Sequence, residues 1–198
     1  MTHTTSTRIS RAGFLAASAG LLLAACGRGS SAEPGARSPG TNTPADGGST
    51  STAASAAVPA GSVVPAPLVG ASTIDGAGFD ASTLAGRPTV AWFWAPWCVV
   101  CRGEAPDVAA IAAQYADRVN FIGVAGRGEA AEMRDFVSET GTGALTHLDD
   151  SSGAIWAAYE IYAQPAFAFI TDDGRQETFT GALGADDLAQ VIEQLLVA

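Results

Sequence analysis

The sequence predicts an α/β domain over residues 63–198, in which helices flank a central mixed β-sheet. Apolar runs typical of buried strands alternate here with amphipathic helical patterns, and this alternation favours parallel neighbouring strands. Near the end of the chain, two strand-like runs are separated by an Asp-Gly step, which is typical of a hairpin and adds antiparallel strands. The residues before position 63 differ in composition, and we expect them to be a signal peptide followed by a disordered linker.

The strands and helices of the domain follow from local patterns. A buried strand is expected at residues 89–95, an apolar, aromatic and β-branched run bounded by Pro88 and Pro96. Residues 185–197 are expected to end the chain as a helix, because apolar residues recur there at spacings of three and four. Between them the patterns predict helices at 99–115, 129–139 and 152–159, and strands at 119–124, 166–170 and 176–180.

Charge is distributed unevenly along the 198 residues. The chain has 10 arginines, no lysine and 20 acidic residues, for a net charge of −10. Residues 1–25 carry +2, residues 26–62 are neutral, and residues 63–198 hold 6 arginines and 18 acidic residues, a net charge of −12. A domain this acidic offers no basic surface to nucleic acid, so we expect no nucleic-acid partner. Three cysteines are also too few for a disulfide-rich scaffold.

The N-terminus has the organisation of a secretory signal peptide. Two arginines precede a 14-residue apolar run at residues 12–25, shorter than the roughly 20 residues that a membrane-spanning helix needs. The run ends in Leu-Ala-Ala-Cys, which resembles a bacterial lipobox. This resemblance implies that Cys26 is diacylated and anchors the chain, since two acyl chains suffice for stable membrane attachment. The alternative is an ordinary signal peptide cleaved nearby, with Cys26 incidental.

A tether is expected between the signal peptide and the domain. Residues 27–62 consist mostly of small residues and proline, with Val58 as the only large aliphatic residue. Such a composition cannot offset the entropy of ordering the chain, so we expect disorder. A flexible segment of about 36 residues has a reach of roughly 30–36 Å, which would let the domain sample substrates near a membrane surface.

A pair of cysteines, Cys98 and Cys101, stands at the predicted junction between the first buried strand and the following helix. Two intervening residues let the sulfurs close a small ring, so the spacing suits dithiol–disulfide chemistry. Cys98 falls at the helix N-terminus, where unpaired N–H groups and the helix dipole favour the nucleophilic thiolate. Cys101 lies one turn inside the helix, so we expect it to be more buried and to act as the resolving thiol.

Other interpretations of the pair remain open. A zinc site needs about four ligands, whereas the domain offers these two cysteines and His147, which we expect to be structural. A purely structural disulfide and a copper-delivery site are further alternatives, although copper carriers typically have three residues between their cysteines. A peroxiredoxin would have threonine at position 95, where this chain has alanine. A non-catalytic surface lipoprotein or chaperone is the alternative from a different functional class.

The run Phe-Trp-Ala-Pro-Trp-Cys-Val-Val-Cys at residues 93–101 resembles the active site of the thioredoxin superfamily. Pro106 matches the proline that kinks the active-site helix of that family, and Gln164-Pro165 stands where the fold has its cis-proline loop. The resemblance implies a thioredoxin-like fold in which Pro165 packs against Cys98. It also implies that the loop, including Gln164, binds a substrate strand through its backbone.

The TlpA/ResA/DsbE-like branch of this superfamily is the most similar. Glu104, three residues after the second cysteine, matches the glutamate of that branch, and residues 80–88 and 155–159 are similar to it. The resemblance implies that Glu104 adjusts cysteine acidity, that Trp97 is partly exposed for substrate, and that no cofactor is needed besides the cysteine pair. The alternative for Glu104 is a solvated charge on a helix surface.

One departure from thioredoxin bears on the direction of electron flow. Thioredoxin has a buried aspartate six residues before its first cysteine, and this chain has Trp92 there. The missing aspartate favours an oxidant, whereas Glu104 could act as a substitute acid and favour a reductant. We therefore expect a membrane-anchored, extracytoplasmic oxidoreductase that oxidises or isomerises the thiols of exported proteins and is recycled by a membrane redox partner. The alternative is a reductant in cytochrome c maturation.

Overall fold

The computed structural model describes residues 63–197, so the predictions for the signal peptide, for Cys26 and for the tether lie outside the described residues. Six strands and four α-helices form the domain. The strands are β1 (Ser72–Thr73), β2 (Thr89–Trp94), β3 (Asn120–Gly126), β4 (Thr146–Asp150), β5 (Ala166–Ile170) and β6 (Gln176–Thr180). The helices are α1 (Val99–Gln114), α2 (Ala130–Thr140), α3 (Ala154–Ala158) and α4 (Ala185–Leu195). Two short 3₁₀ helices, Ala66–Leu68 and Ala81–Leu84, precede β2.

The six strands form one mixed sheet in the order β1-β4-β3-β2-β5-β6. Strands β2, β3 and β4 run parallel, whereas β5 is antiparallel to β2 and β6 is antiparallel to β5. This arrangement confirms the predicted thioredoxin-like α/β fold with a mixed sheet. The β5–β6 hairpin has the bounds that the Asp-Gly turn predicted.

A hydrophobic core lies on each face of the sheet, because alternate residues of β2 point to opposite sides and all of them are buried. One face packs Trp92 and Trp94 against apolar residues of α1, α2 and α4. The other packs Phe93 against α3 and the 3₁₀ helices. The three aromatic residues of β2 therefore join both layers of helices to the centre of the sheet.

Two strands and several boundaries differ from the predictions. Strand β4 was not expected because its sequence, Thr-His-Leu-Asp-Asp, lacks an apolar pattern, and β1 has only two residues. Predicted helix 152–159 is shorter, because Gly153 precedes it in the left-handed region. Smaller differences of one to two residues occur at the ends of β2, β3, α1, α2 and α4.

The two ends of the sheet carry different parts of the chain. Phe93, near the end of β2, is paired with Ala166 at the start of β5, so Pro165 lies beside the loop that leads into α1. At the opposite end, Thr89 is paired with Ile170, and the β5–β6 turn follows. The amide of Val63 donates to the carbonyl of Asp172 in that turn, at 3.4 Å.

Candidate active site

Cys98 and Cys101 form a disulfide where β2 gives way to α1, with their Cα atoms 5.3 Å apart. Cys98 is the N-cap of α1, and its sulfur accepts a hydrogen bond of 3.1 Å from the amide of Cys101. The sulfur of Cys98 would therefore be stabilised as a thiolate by an N–H group and by the helix dipole. Cys98 is 5% exposed and Cys101 is fully buried, which is the order that the sequence predicts.

The loop before β5 lies beside the disulfide end of β2. The Gln164–Pro165 peptide bond is cis, as the resemblance implies. Because Pro165 directly precedes the residue paired with Phe93, the register of the sheet brings the loop to the same end as Cys98. The two segments are separated by more than 60 positions in sequence, and the antiparallel pairing of β2 with β5 brings them together.

Glu104 is a buried carboxyl on α1, only 5% exposed, so the alternative of a solvated helix charge is wrong. Its Oε1 accepts a hydrogen bond of 2.7 Å from the indole nitrogen of Trp92, and its Oε2 accepts one of 3.1 Å from the amide of Leu183. Burial raises the pKa of Glu104 to about 7, although both hydrogen bonds oppose that rise. Glu104 can therefore exchange a proton near neutral pH, three residues along α1 from the buried sulfur of Cys101.

Exposed apolar side chains surround the disulfide. Trp97 is 59% exposed, as predicted, and the two residues between the cysteines, Val99 and Val100, are 80% and 55% exposed. Tyr162, in the loop before Pro165, is 78% exposed. We call these four residues the apolar rim. Apolar groups left in solvent around a reactive centre are typical of a surface that contacts another polypeptide.

Arg127, which sequence reasoning missed, joins two parts of this site. Its carbonyl accepts a hydrogen bond of 2.8 Å from the indole nitrogen of Trp97, and its guanidinium donates to Gln164 and to the carbonyl of Tyr162. No local signal distinguishes this arginine in the sequence. Only the tertiary pairing of β3 with β2 brings it to the disulfide end of the sheet.

His147 is built into the core beneath the site. Its Nδ1 accepts a hydrogen bond of 3.3 Å from the indole nitrogen of Trp94, and its Nε2 donates to the carbonyl of Thr142 at 3.0 Å. Burial holds the pKa of His147 below its usual value, so the ring is neutral. Within residues 63–197, no group of three or more His, Cys, Asp or Glu side chains could hold a metal ion.

None of the helices in the described part of the chain is both long and apolar enough to cross a membrane.

Comparison with known proteins identifies related sequences. Residues 53–192 match the family model described as redoxin. The soluble secreted antigen MPT53 of Mycobacterium tuberculosis is 42% identical over 123 residues, which are 60% of this chain and 69% of MPT53.

Solved structures of related proteins are also similar to this chain. The structure of MTB DsbF in its mixed oxidised and reduced forms has a TM-score of 0.62 and 40% identity, covering 67% of this chain and 99% of DsbF. A secreted disulfide oxidoreductase of Mycobacterium tuberculosis, described as homologous to E. coli DsbE, has a TM-score of 0.60 and 38% identity. That match covers 66% of this chain and 98% of the relative.

Proposed function

This chain belongs to the redoxin family of the thioredoxin superfamily and is a thiol–disulfide oxidoreductase, and on this premise we propose that it oxidises the thiols of exported proteins outside the cytoplasm. The observation that carries the proposal is the Cys98–Cys101 disulfide at the N-terminus of α1, next to the loop that contains Pro165. The cysteine pair is proposed as the sole redox group. The substrates are proposed to be polypeptides, because the apolar rim surrounds the disulfide.

In the proposed mechanism, a substrate thiolate attacks the Sγ atom of Cys98. A mixed disulfide forms, the Cys98–Cys101 bond breaks, and Cys101 leaves as a thiolate. A second substrate thiolate then attacks the substrate sulfur of the mixed disulfide and releases Cys98 as a thiolate. The substrate dithiol loses two electrons, which reduce the cysteine pair, and a membrane redox partner must remove them for the next cycle. Isomerisation would use the Cys98 thiolate of the reduced pair as the attacking group.

Glu104 is proposed to handle the proton of Cys101. A departing buried thiolate is poorly solvated, so a nearby proton donor favours its departure. The pKa of Glu104, raised to about 7 by burial, leaves a fraction of this carboxyl protonated at neutral pH. When Cys101 must attack instead, the ionised carboxylate can take the proton back.

The oxidising direction is supported by Trp92, which stands where thioredoxin has its buried aspartate. The second candidate is a reductant, and the buried Glu104 held by Trp92 favours that alternative because it could replace the aspartate. We expect the reduction potential to lie well above that of thioredoxin, about −270 mV. A measured value near the thioredoxin value would contradict the oxidising direction.

Substitution of each cysteine tests the proposed activity. Cys98→Ser is expected to abolish exchange with a reduced, unfolded protein substrate, because it removes the attacked sulfur. Cys101→Ser is expected to accumulate mixed disulfides with proteins that already carry a disulfide. The Cys98 thiolate attacks that disulfide, one substrate sulfur leaves as a thiolate, and no Cys101 thiol remains to release the other. Mass spectrometry of these species names the proteins that dock at Cys98. Exchange that survives in Cys98→Ser would mean that the disulfide is only structural.

Anchoring through Cys26 is proposed from the lipobox-like sequence. The relative MPT53 is described as soluble and secreted, which supports an extracytoplasmic location and leaves the anchor to be tested. We expect Cys26→Ser to move the protein from the membrane fraction into the medium. The same distribution for wild type and variant would contradict lipid anchoring.

A further inference from the structure

Arg127 adopts a backbone conformation that is costly for a residue with a side chain. It directly follows β3, and its φ angle is +56°, in the left-handed region that favours glycine. Backbone strain of this kind persists where surrounding contacts determine the conformation, and it is frequent at functional sites. The contacts here are known: the Arg127 carbonyl accepts the indole N–H of Trp97 at 2.8 Å. Trp97 immediately precedes the reactive cysteine Cys98.

The guanidinium of Arg127 extends to the other side of the site. Its Nη1 donates to Oε1 of Gln164 at 3.0 Å, and its Nη2 donates to the carbonyl of Tyr162 at 2.7 Å. The group lies over the ring of Trp156, 4.8 Å from its centroid. Arg127 thus holds the loop that ends in Pro165 at two points, the side chain of Gln164 and the main-chain carbonyl of Tyr162.

These contacts are not explained by charge pairing. The three ion pairs in the described part of the chain belong to Arg102, Arg118 and Arg175. The partners of Arg127 are a neutral amide, a carbonyl and an aromatic face, although the domain is rich in carboxylates. A planar guanidinium can bond two acceptors in fixed directions, which a lysine ammonium cannot reproduce.

The ring beneath the guanidinium is itself fixed by close packing. A Cβ atom at Gly126 would lie 2.7 Å from Cε2 and Nε1 of Trp156, so only glycine lets β3 approach this ring so closely. The indole nitrogen of Trp156 donates to the carbonyl of Val124 at 3.3 Å. Arg127 therefore rests on a closely packed, hydrogen-bonded ring at the end of β3.

We propose that Arg127 is a positioning residue for thiol–disulfide exchange, which sets the spacing between Trp97 and the Gln164–Pro165 loop. We call the surface between these two segments the substrate-binding strip. This inference rests on the proposed function, because it assigns the strip to a polypeptide substrate. One residue holds both sides of the strip: its carbonyl orients Trp97, and its guanidinium orients the loop. The disulfide itself makes no hydrogen bond with Arg127, so the chemistry of a small thiol should not depend on it.

The test compares Arg127→Gly and Arg127→Lys with the control Arg118→Ala in the full chain. Glycine suits the left-handed backbone at position 127, so this variant should fold while losing the side-chain contacts. Arg127→Lys keeps the positive charge and loses the planar guanidinium that bonds two acceptors. Arg118 also stacks on an aromatic ring, 4.8 Å from the centroid of Tyr115, and bonds a carboxylate away from the site.

Exchange rates with two reductants separate docking from chemistry. With a reduced, unfolded cysteine-containing peptide, we expect Arg127→Gly and Arg127→Lys to lower the second-order rate constant about tenfold, the effect of roughly one lost hydrogen bond. Dithiothreitol does not need the substrate-binding strip, so the rate constants of both variants with this reductant should match that of wild type. Their reduction potentials should match it as well. Arg118→Ala should match it in every measurement. Wild-type rates with the peptide, or equal losses with both reductants, would overturn the proposal.

A measurement without substrate separates this inference from the proposed function. Hydrogen exchange at the amides of Tyr162, Ala163 and Gln164 should be faster in Arg127→Gly than in wild type and unchanged in Arg118→Ala. If wild type fails to exchange thiols with any peptide, the proposed function is wrong, and amide exchange alone decides whether Arg127 holds the loop. Unchanged amide exchange in Arg127→Gly would overturn the positioning role.

Discussion

At the scale of single residues, the pair formed by Trp92 and Glu104 differs most from the thioredoxin pattern. The indole N–H of Trp92 meets a buried carboxyl from the neighbouring helix, so the acidic group of the site comes from α1 and not from β2. The Cys-x-x-Cys-x-x-Glu spacing indicated that Glu104 belongs to the site. Its burial and its indole partner could not be predicted, because both depend on the packing of α1 and the Leu183 segment against the sheet.

The raised pKa of Glu104 predicts a pH-dependent stability. The unfolded chain releases this proton near pH 4.5, whereas the folded protein retains it to about pH 7. The folded state therefore binds more protons in this window, so the free energy of unfolding should fall as pH rises through it, by the order of 3 kcal/mol from this group.

Denaturant unfolding of oxidised Glu104→Gln between pH 4 and 8 checks this expectation. The variant is expected to be less stable than wild type at low pH, because a neutral amide cannot accept from both Trp92 and Leu183. The difference in the free energy of unfolding between Glu104→Gln and wild type should narrow as pH rises to 8. The control Glu193→Gln, an exposed carboxyl whose pKa is lowered by Arg118 and Tyr115, should keep the wild-type slope above about pH 5.5, since its contribution to stability no longer changes once the unfolded chain, with an ordinary pKa of 4.5, is ionised. An unchanged slope in Glu104→Gln would contradict the raised pKa.

At the scale of secondary-structure elements, predictability depended on how each element is buried. Strands β2 and β5 are buried on both faces and carry continuous apolar runs, so their sequences indicate them. Strand β4 buries His147 and Asp150 through specific hydrogen bonds instead, and hydropathy cannot reveal such partners. Arg127 was missed for the same reason, because its partners come from two other loops.

Asp150 connects β4 to α3 and provides a prediction at this scale. Its carboxylate accepts hydrogen bonds from the buried amides of Ile155 and Trp156, at 3.1 and 2.8 Å. Asp150→Ala should leave both amides without an acceptor and lower the free energy of unfolding by about 2–4 kcal/mol. Thermal and denaturant unfolding measure this loss. Asp149→Ala, whose carboxylate serves the exposed Ser151, is the control and should cost well under half as much.

Because α3 carries the ring on which Arg127 rests, Asp150→Ala should also slow exchange with a peptide substrate more than exchange with dithiothreitol. A stability loss like that of Asp149→Ala would show that other contacts hold α3.

At the scale of the whole molecule, the fold could be predicted because the active-site run, the later Gln-Pro step and the alternation of elements all agree on one architecture. The direction of electron flow could not be predicted from the sequence, because it depends on the relative free energies of the oxidised and reduced states. A strong oxidant is one whose reduced form is stabilised. If the protein is an oxidant, its folded state should become more stable when Cys98–Cys101 is reduced.

Unfolding by denaturant with and without dithiothreitol measures this difference. The reduced protein is expected to unfold at the higher denaturant concentration. A Cys98→Ala/Cys101→Ala double variant should respond to the reductant in neither direction. Greater stability of the oxidised protein would favour the reductant alternative.

The contact between Val63 and the β5–β6 turn places the N-terminal end of the described chain at a defined end of the sheet. The chain enters the domain beside Asp172, at one end of the sheet, and the disulfide lies at the other. A strand of six residues such as β2 places these ends about 20 Å apart. Val63 and the reactive disulfide therefore lie at opposite ends of the sheet, so a large substrate can reach the apolar rim without contacting the part of the domain around Val63.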